Sequence, residues 1–168
     1  MYSHILVPLD GSQAAEEVLP HVQALVEKFG ARVTLLRATT SPATLIASTS
    51  AGLEPTAGPL VDPTPILDEE RAAIGEYLRA IAARSQSQGM QAALAEPEGP
   101  PADAILRFAT EEGVDLIAMT THARSGLERL VLGSVSDRVA RHSMCPVLLV
   151  RPSEEVQEEA HHTHNRPL

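Results

Sequence analysis

A chain of 168 residues suits one domain around one core. Its 43% apolar content includes two Tyr, two Phe and no Trp, so the core must be aliphatic, which excludes the stacked aromatic platforms of single-strand nucleic-acid binders. Thirteen basic against 22 acidic residues give a net charge of −9, excluding a global basic field for nucleic acid or anionic membrane.

Five β-branched or Leu-rich runs alternate with helical patterns, the signature of a parallel sheet covered by helices on both faces. The first run spans 4–9 and ends in Asp10-Gly11-Ser12, a turn and helix N-cap signal. Ala14, Val18, Val22, Leu25, Val26 and Phe29 then recur at helical spacing up to Gly30, a good residue to end a helix. Pro20 lies inside this pattern and predicts a kink, because the periodicity continues past it. The second run is 32–38. Residues 39–65 follow with five of the 13 prolines and no sustained period, which reads as an insertion, either a lid over a ligand or a plain flexible loop. A helix is predicted over 66–87, with Leu67, Ile74, Tyr77, Leu78 and Ile81 on one face and Gly89 at its end. The third run is 90–96. A further helix opens at Pro101 and closes at Gly113, the fourth run is 114–120, and a last helix follows Ser134. The fifth run, Pro146 to Arg151, would form an exposed sheet edge, and its Val-Leu-Leu-Val invites pairing. The tail 152–168 is acidic and then His-rich, too polar to pack, and is expected to be disordered. His161, His162 and His164 can bind a metal or sit together incidentally.

The single cysteine, Cys145, cannot form an intrachain disulfide and has no zinc-ligand spacing around it. No stretch approaches the roughly 20 apolar residues of a membrane span, and the opening residues lack the basic leader of a signal peptide. A cytoplasmic location is expected, with no membrane and no nucleic-acid partner.

In an open α/β sheet, ligands bind outside the carboxyl ends of the strands, where the strand order reverses. After the first strand, Asp10 can accept hydrogen bonds from a ribose hydroxyl or an adenine amino group, and Gly11 lets backbone approach closely. Asp10 can equally cap the following helix. After the fourth strand, Gly133-Ser134 opens a helix whose first N–H groups and dipole favour an anion, the general recipe for a phosphate site. From His122 to Arg151 there are five Arg (Arg124, Arg129, Arg138, Arg141, Arg151) against Glu128 and Asp137, a local +3 in a chain of −9. Arg124 can approach a phosphate, and the other four read equally well as solvated helix charges.

Several stretches together resemble the universal stress protein family. They are Ile5-Leu6-Val7-Pro8-Leu9-Asp10-Gly11-Ser12, Gly113-Val114-Asp115-Leu116-Ile117-Ala118-Met119, Thr121-His122-Ala123-Arg124-Ser125-Gly126-Leu127, Leu132-Gly133-Ser134-Val135 and Cys145-Pro146-Val147-Leu148-Leu149-Val150-Arg151. The resemblance covers 1–151, leaving the insertion and the tail outside its motifs. It implies a Rossmann-like domain of the adenine nucleotide alpha hydrolase type, an open five-stranded parallel sheet of order 3-2-1-4-5. It implies adenine and ribose contacts at Pro8, Asp10 and Ala38, with Gly99 as a further one. The ATP-binding branch carries Gly-x2-Gly-x9-Gly-Ser after the fourth strand. Here that pattern falls on Thr120, Ala123, Gly133 and Ser134, so the second half matches and the first does not. Gly11, His122, Arg124 and Val135 complete the candidate site.

The implied ligand is ATP, with ADP, AMP or cyclic AMP as alternatives and Mg accompanying ATP. The family also implies a homodimer paired through the last strand. Motif chemistry removes other classes: Lys28 is the only lysine, so neither a phosphate-binding P-loop nor a receiver domain fits, and no Gly-x-Gly-x2-Gly or Gly-x-Ser-x-Gly occurs. No nucleophile stands beside a base, and His122 reads as orienting a phosphate or as structural. At most slow ATP hydrolysis is expected. Two functions remain: a nucleotide-dependent stress-response regulator whose bound nucleotide changes what an unknown protein partner can dock, and a dimeric interaction module of the same family that does not bind ATP.

Overall fold

The computed structural model describes residues 1–40, 64–121 and 133–153. Five strands, β1 (His4–Pro8), β2 (Arg32–Leu36), β3 (Ala92–Ala95), β4 (Leu116–Thr120) and β5 (Val147–Val150), form one sheet in the order β3-β2-β1-β4-β5. All four pairings are parallel. The helices are α1 (Gln13–Glu16), α2 (Leu19–Phe29), α3 (Thr64–Ser87), α4 (Pro101–Glu111) and α5 (Ser134–His142).

The period-2 alternation of a strand explains the two cores. Ile5, Val7, Val33, Leu35, Leu116 and Ala118 face Val18 and Val22 of the first helical stretch and Ile74, Leu78 and Ile81 of α3. Leu6, Leu36, Ile117 and Met119 face the other way, onto Ala102, Ile105 and Ala109 of α4 and Val139 of α5. Each fully buried Leu, Ile or Val contributes about 1.5–3 kcal/mol, so a strand covered on both faces must be apolar at nearly every position. β1 is buried at all five.

The strands are shorter than their apolar runs, for identifiable reasons. Met90 donates its N–H to Ser85 and Val114 donates to Ala109, so both residues close the preceding helix before the strand begins. Pro146 has no N–H, and β5 starts one residue later. Pro20 does not kink one helix. Glu17 and Val18 separate α1 from α2, and Pro20 sits in the first turn of α2, where no N–H is needed. Gly30 closes α2 in the left-handed conformation (φ +66).

α3 starts at Thr64, so Thr64 and Pro65 belong to it rather than to the predicted insertion. Thr39 pairs with Glu98, and the Thr40 hydroxyl donates to Glu70 at 2.9 Å. Residues 41–63 lie outside the described residues. The beginning of the tail is anchored, correcting part of that prediction: Pro152 is buried, and the N–H and hydroxyl of Ser153 both donate to the Glu17 carboxylate at 2.6 Å. Residues 154–168, with their three His, lie outside the described residues. Among the described residues no helix is long and apolar enough to cross a membrane.

At the amino edge of the sheet, the Asp115 carboxylate ties β4 to β1, accepting from the Ser3 N–H at 2.8 Å, the Ser3 hydroxyl at 2.5 Å and the His4 N–H at 3.2 Å. Desolvation opposes its charge, but these donors prevail and hold it below the usual carboxylate value. His4 is buried with both ring nitrogens engaged. Nε2 meets the Thr34 hydroxyl at 2.9 Å, and Nδ1 faces the Arg32 guanidinium at 3.0 Å. Nδ1 also lies 3.3 Å from the Glu112 carbonyl, to which a ring N–H can donate. Burial first, and Arg32 second, lower the His4 pKa.

Candidate functional site

The carboxyl ends of all five parallel strands lie at one edge of the sheet, and the order reverses between β1 and β4. From β1 the chain crosses to the face of α1–α3, whereas from β4 it crosses to the face of α4 and α5. Strand order reverses at this point, which is where open α/β sheets take their ligands.

Pro8 ends β1 and is buried, and Asp10 stands exposed beyond it. Asp10 Oδ1 accepts from the Ser12 N–H at 2.9 Å and the Ser12 hydroxyl at 2.7 Å. Ser12 Oγ in turn accepts from the Ala15 N–H at 3.1 Å. Ser12, not Asp10, is thus the helix cap, and Asp10 orients the cap through a side-chain turn. Gly11 has φ +92, and a Cβ built on it would lie 2.5 Å from Arg37 Nη1. The positive φ favours glycine, and the Arg37 side chain would have to shift to admit a Cβ.

Ala38 lies two residues past the end of β2 and is half-buried. Next to it the Thr39 hydroxyl is buried without a hydrogen-bond partner, while the Thr39 carbonyl accepts from the Gly99 N–H at 3.0 Å. Gly99 has φ +119, and nothing lies within 4 Å of where its Cβ would be. Thr120 ends β4, is 4% exposed, and pairs with Val150 of β5. Among the described residues no non-glycine has positive φ, so Thr120 occupies a glycine position of the family pattern without backbone strain.

Gly133 precedes α5 with no side-chain cap, and the first intrahelical bond runs from the Asp137 N–H to the Gly133 carbonyl at 2.9 Å. The N–H groups of Ser134, Val135 and Ser136 therefore have no carbonyl within the helix. Ser134 is exposed, and Val135 packs against the second core. The local positive balance is reduced on this helix: Arg138 pairs with Asp103 at 2.6 Å and Arg141 with Asp137 at 2.9 Å, both at the surface. These are the solvated helix charges of the plainer reading, each worth under about 1 kcal/mol. His122, Ala123 and Arg124 lie outside the described residues.

The structure adds residues that the sequence reading passed over. The Arg37 guanidinium lies against Gly11 and 5.4 Å from the centroid of the Tyr77 ring. Tyr77 donates its hydroxyl to Glu16 Oε1 at 3.2 Å, and Glu16 also pairs with Arg84. Desolvation, and then the Glu16 charge, raise the Tyr77 pKa, so the phenol keeps its proton. The available signals were the strand alternation that puts Arg37 on the same face as Leu35, and a tyrosine on an apolar stripe whose hydroxyl needs a partner. A hollow of about 450 Å³ opens at the opposite edge, beside His4, Arg32, Gln91 and Glu112. It is shallow and away from the strand-order reversal.

The sequence model of the Universal stress protein family matches residues 1–151. The universal stress protein MJ0531 of Methanocaldococcus jannaschii is 33% identical over 156 residues, covering 92% of this chain and 86% of that one. The solved structure of MJ0577, from the same organism, aligns with a TM-score of 0.72 at 27% identity, covering 92% of this chain and 99% of that one. A universal stress protein in complex with cAMP and one from Arabidopsis thaliana with AMP bound share the fold, with TM-scores of 0.63 and 0.61 and identities of 23% and 16%. They cover 90% and 91% of this chain and 98% and 94% of their own. Profile, relatives and sheet order agree: the chain belongs to the universal stress protein family.

Proposed function

We propose that this chain is a stress-response protein that binds an adenine nucleotide, ATP or its relatives ADP, AMP and cyclic AMP, at the carboxyl ends of β1 and β4. The observation that carries the reading is the Asp10–Gly11–Ser12 turn on one side of the strand-order reversal and the uncapped N-terminus of α5 on the other. The turn offers a carboxylate to ribose or base, and the helix offers backbone N–H groups and its dipole to phosphate. The open space at Gly99 leaves room for a ligand over the bridged ends of the chain beyond β2 and β3. The cAMP- and AMP-bound members of the fold support the ligand class. Mg would accompany ATP, and the bound nucleotide would govern which protein partner docks. Calorimetric titration of the nucleotide-stripped chain with Mg-ATP, ADP, AMP and cyclic AMP tests this. A saturable one-per-chain isotherm is expected, and no heat at millimolar nucleotide refutes it.

The chain works as a cytoplasmic homodimer in this reading, because β5 is an edge strand whose outward backbone groups can pair with a second copy about a twofold axis. Buried Thr120, at a glycine position of the ATP-binding pattern, favours a second reading: a dimeric interaction module without nucleotide. Nucleotide copurifying with the chain, identified by mass spectrometry, would eliminate that alternative.

A further inference from the structure

We propose that Arg37 is a positioning residue for the β1–α1 turn, and that Arg37, Tyr77 and Glu16 form a brace holding Asp10 and Ser12 in their ligand-ready arrangement. Assigning a ligand to that turn rests on the function proposed above; the brace itself does not.

The contacts close a ring. Arg37 leaves the end of β2 and lays its guanidinium against the backbone of Gly11, filling the space a side chain would occupy. Its other neighbour is the Tyr77 ring of α3. The Tyr77 hydroxyl reaches Glu16 at 3.2 Å, and Glu16 belongs to α1, the single turn that Ser12 caps. The chain then returns through Ser12 to Gly11. Three elements that are separate in sequence thus meet on one short segment.

A four-residue helix cannot sustain itself, since forming the first turn is the unfavourable step, so α1 depends on its attachments. Among the described residues no carboxylate pairs with Arg37. The flat fork suits a slot between a peptide plane and an aromatic face, which an ammonium does not fill in the same way.

The test uses the full chain carrying Arg37→Met, Arg37→Lys or Tyr77→Phe. In the ligand-free protein, exchange of the Ser12 amide, held by Asp10 Oδ1 at 2.9 Å, is expected to speed up about tenfold in Arg37→Met relative to the amides of β4. Arg37→Lys should recover part of that protection, and Tyr77→Phe should lose less than Arg37→Met. In titrations, Arg37→Met should weaken adenosine, AMP and ATP by the same factor, about three- to thirtyfold. Unchanged Ser12 exchange in Arg37→Met overturns the proposal. So does an affinity loss that grows with phosphate number and spares adenosine, which would make Arg37 a direct phosphate contact. If the wild-type chain binds no nucleotide, the functional reading fails while the exchange measurement still decides the brace.

Discussion

Replacing Gly11 with alanine should destabilise the domain by about 2–3 kcal/mol, through two separable effects. The backbone is held at φ +92, and a residue with a Cβ costs about 1–2 kcal/mol in left-handed conformations. The new Cβ would also meet Arg37 Nη1 at 2.5 Å. The guanidinium must then leave its place beside Tyr77, forfeiting about 0.5–2 kcal/mol of cation–π attraction. Urea unfolding should show the loss as a midpoint lowered by about 1 M with an unchanged slope. Gly30→Ala supplies the backbone cost alone, because Gly30 has φ +66 and nothing lies within 4 Å of its Cβ position. In an Arg37→Met background, the cost of Gly11→Ala should fall toward the Gly30→Ala value. If it stays at the wild-type value, Gly11 and Arg37 are not coupled and the steric argument is wrong.

Other outcomes follow from the same geometry. The pKa of His4 is lowered in the folded chain, so in mildly acidic solution the unfolded state binds more protons. Stability should therefore fall as pH drops below about 6.5, and a His4→Gln variant should show a flatter urea midpoint between pH 7.5 and 5. Ser12→Ala removes the α1 cap and should cost about 1 kcal/mol in urea unfolding, with weaker nucleotide binding because Asp10 loses its hydroxyl partner. Thr120→Gly should tighten ATP binding in calorimetry, since it restores the family glycine at the end of β4, and unchanged affinity would count against ligand contact there. Light scattering on the full chain at micromolar concentration should give the dimer mass, and a clean monomer would refute pairing through β5.

The sheet was legible because each strand is an aliphatic run and each run alternates between two cores; Ile5 and Leu6 suffice to show both faces. The break between α1 and α2 was not. Ala15, Val18 and Val22 keep helical spacing across Glu17, so the apolar pattern carries no mark of the interruption. The candidate site was proposed from the residues that follow β1 and β4, but the hydrogen-bonding role of Asp10 could not be read from them. Asp10 and Ser12 are both capping residue types two positions apart, and only the hydrogen bond to the Ala15 N–H separates their functions. Arg37 escaped notice because its partners, Gly11 and Tyr77, are distant in sequence and reach it only once β1, β2 and α3 have packed.

The central claim is where the ligand sits, and mapping backbone amide shifts of the isotope-labelled, nucleotide-stripped chain on addition of Mg-ATP tests it most directly. The account predicts shifts concentrated at Gly11 and Ser12, Ala38 and Thr39, Gly99, and Gly133 to Val135. Shifts confined to the opposite edge, around His4, Arg32 and Gln91, or no shifts at millimolar nucleotide, would contradict it.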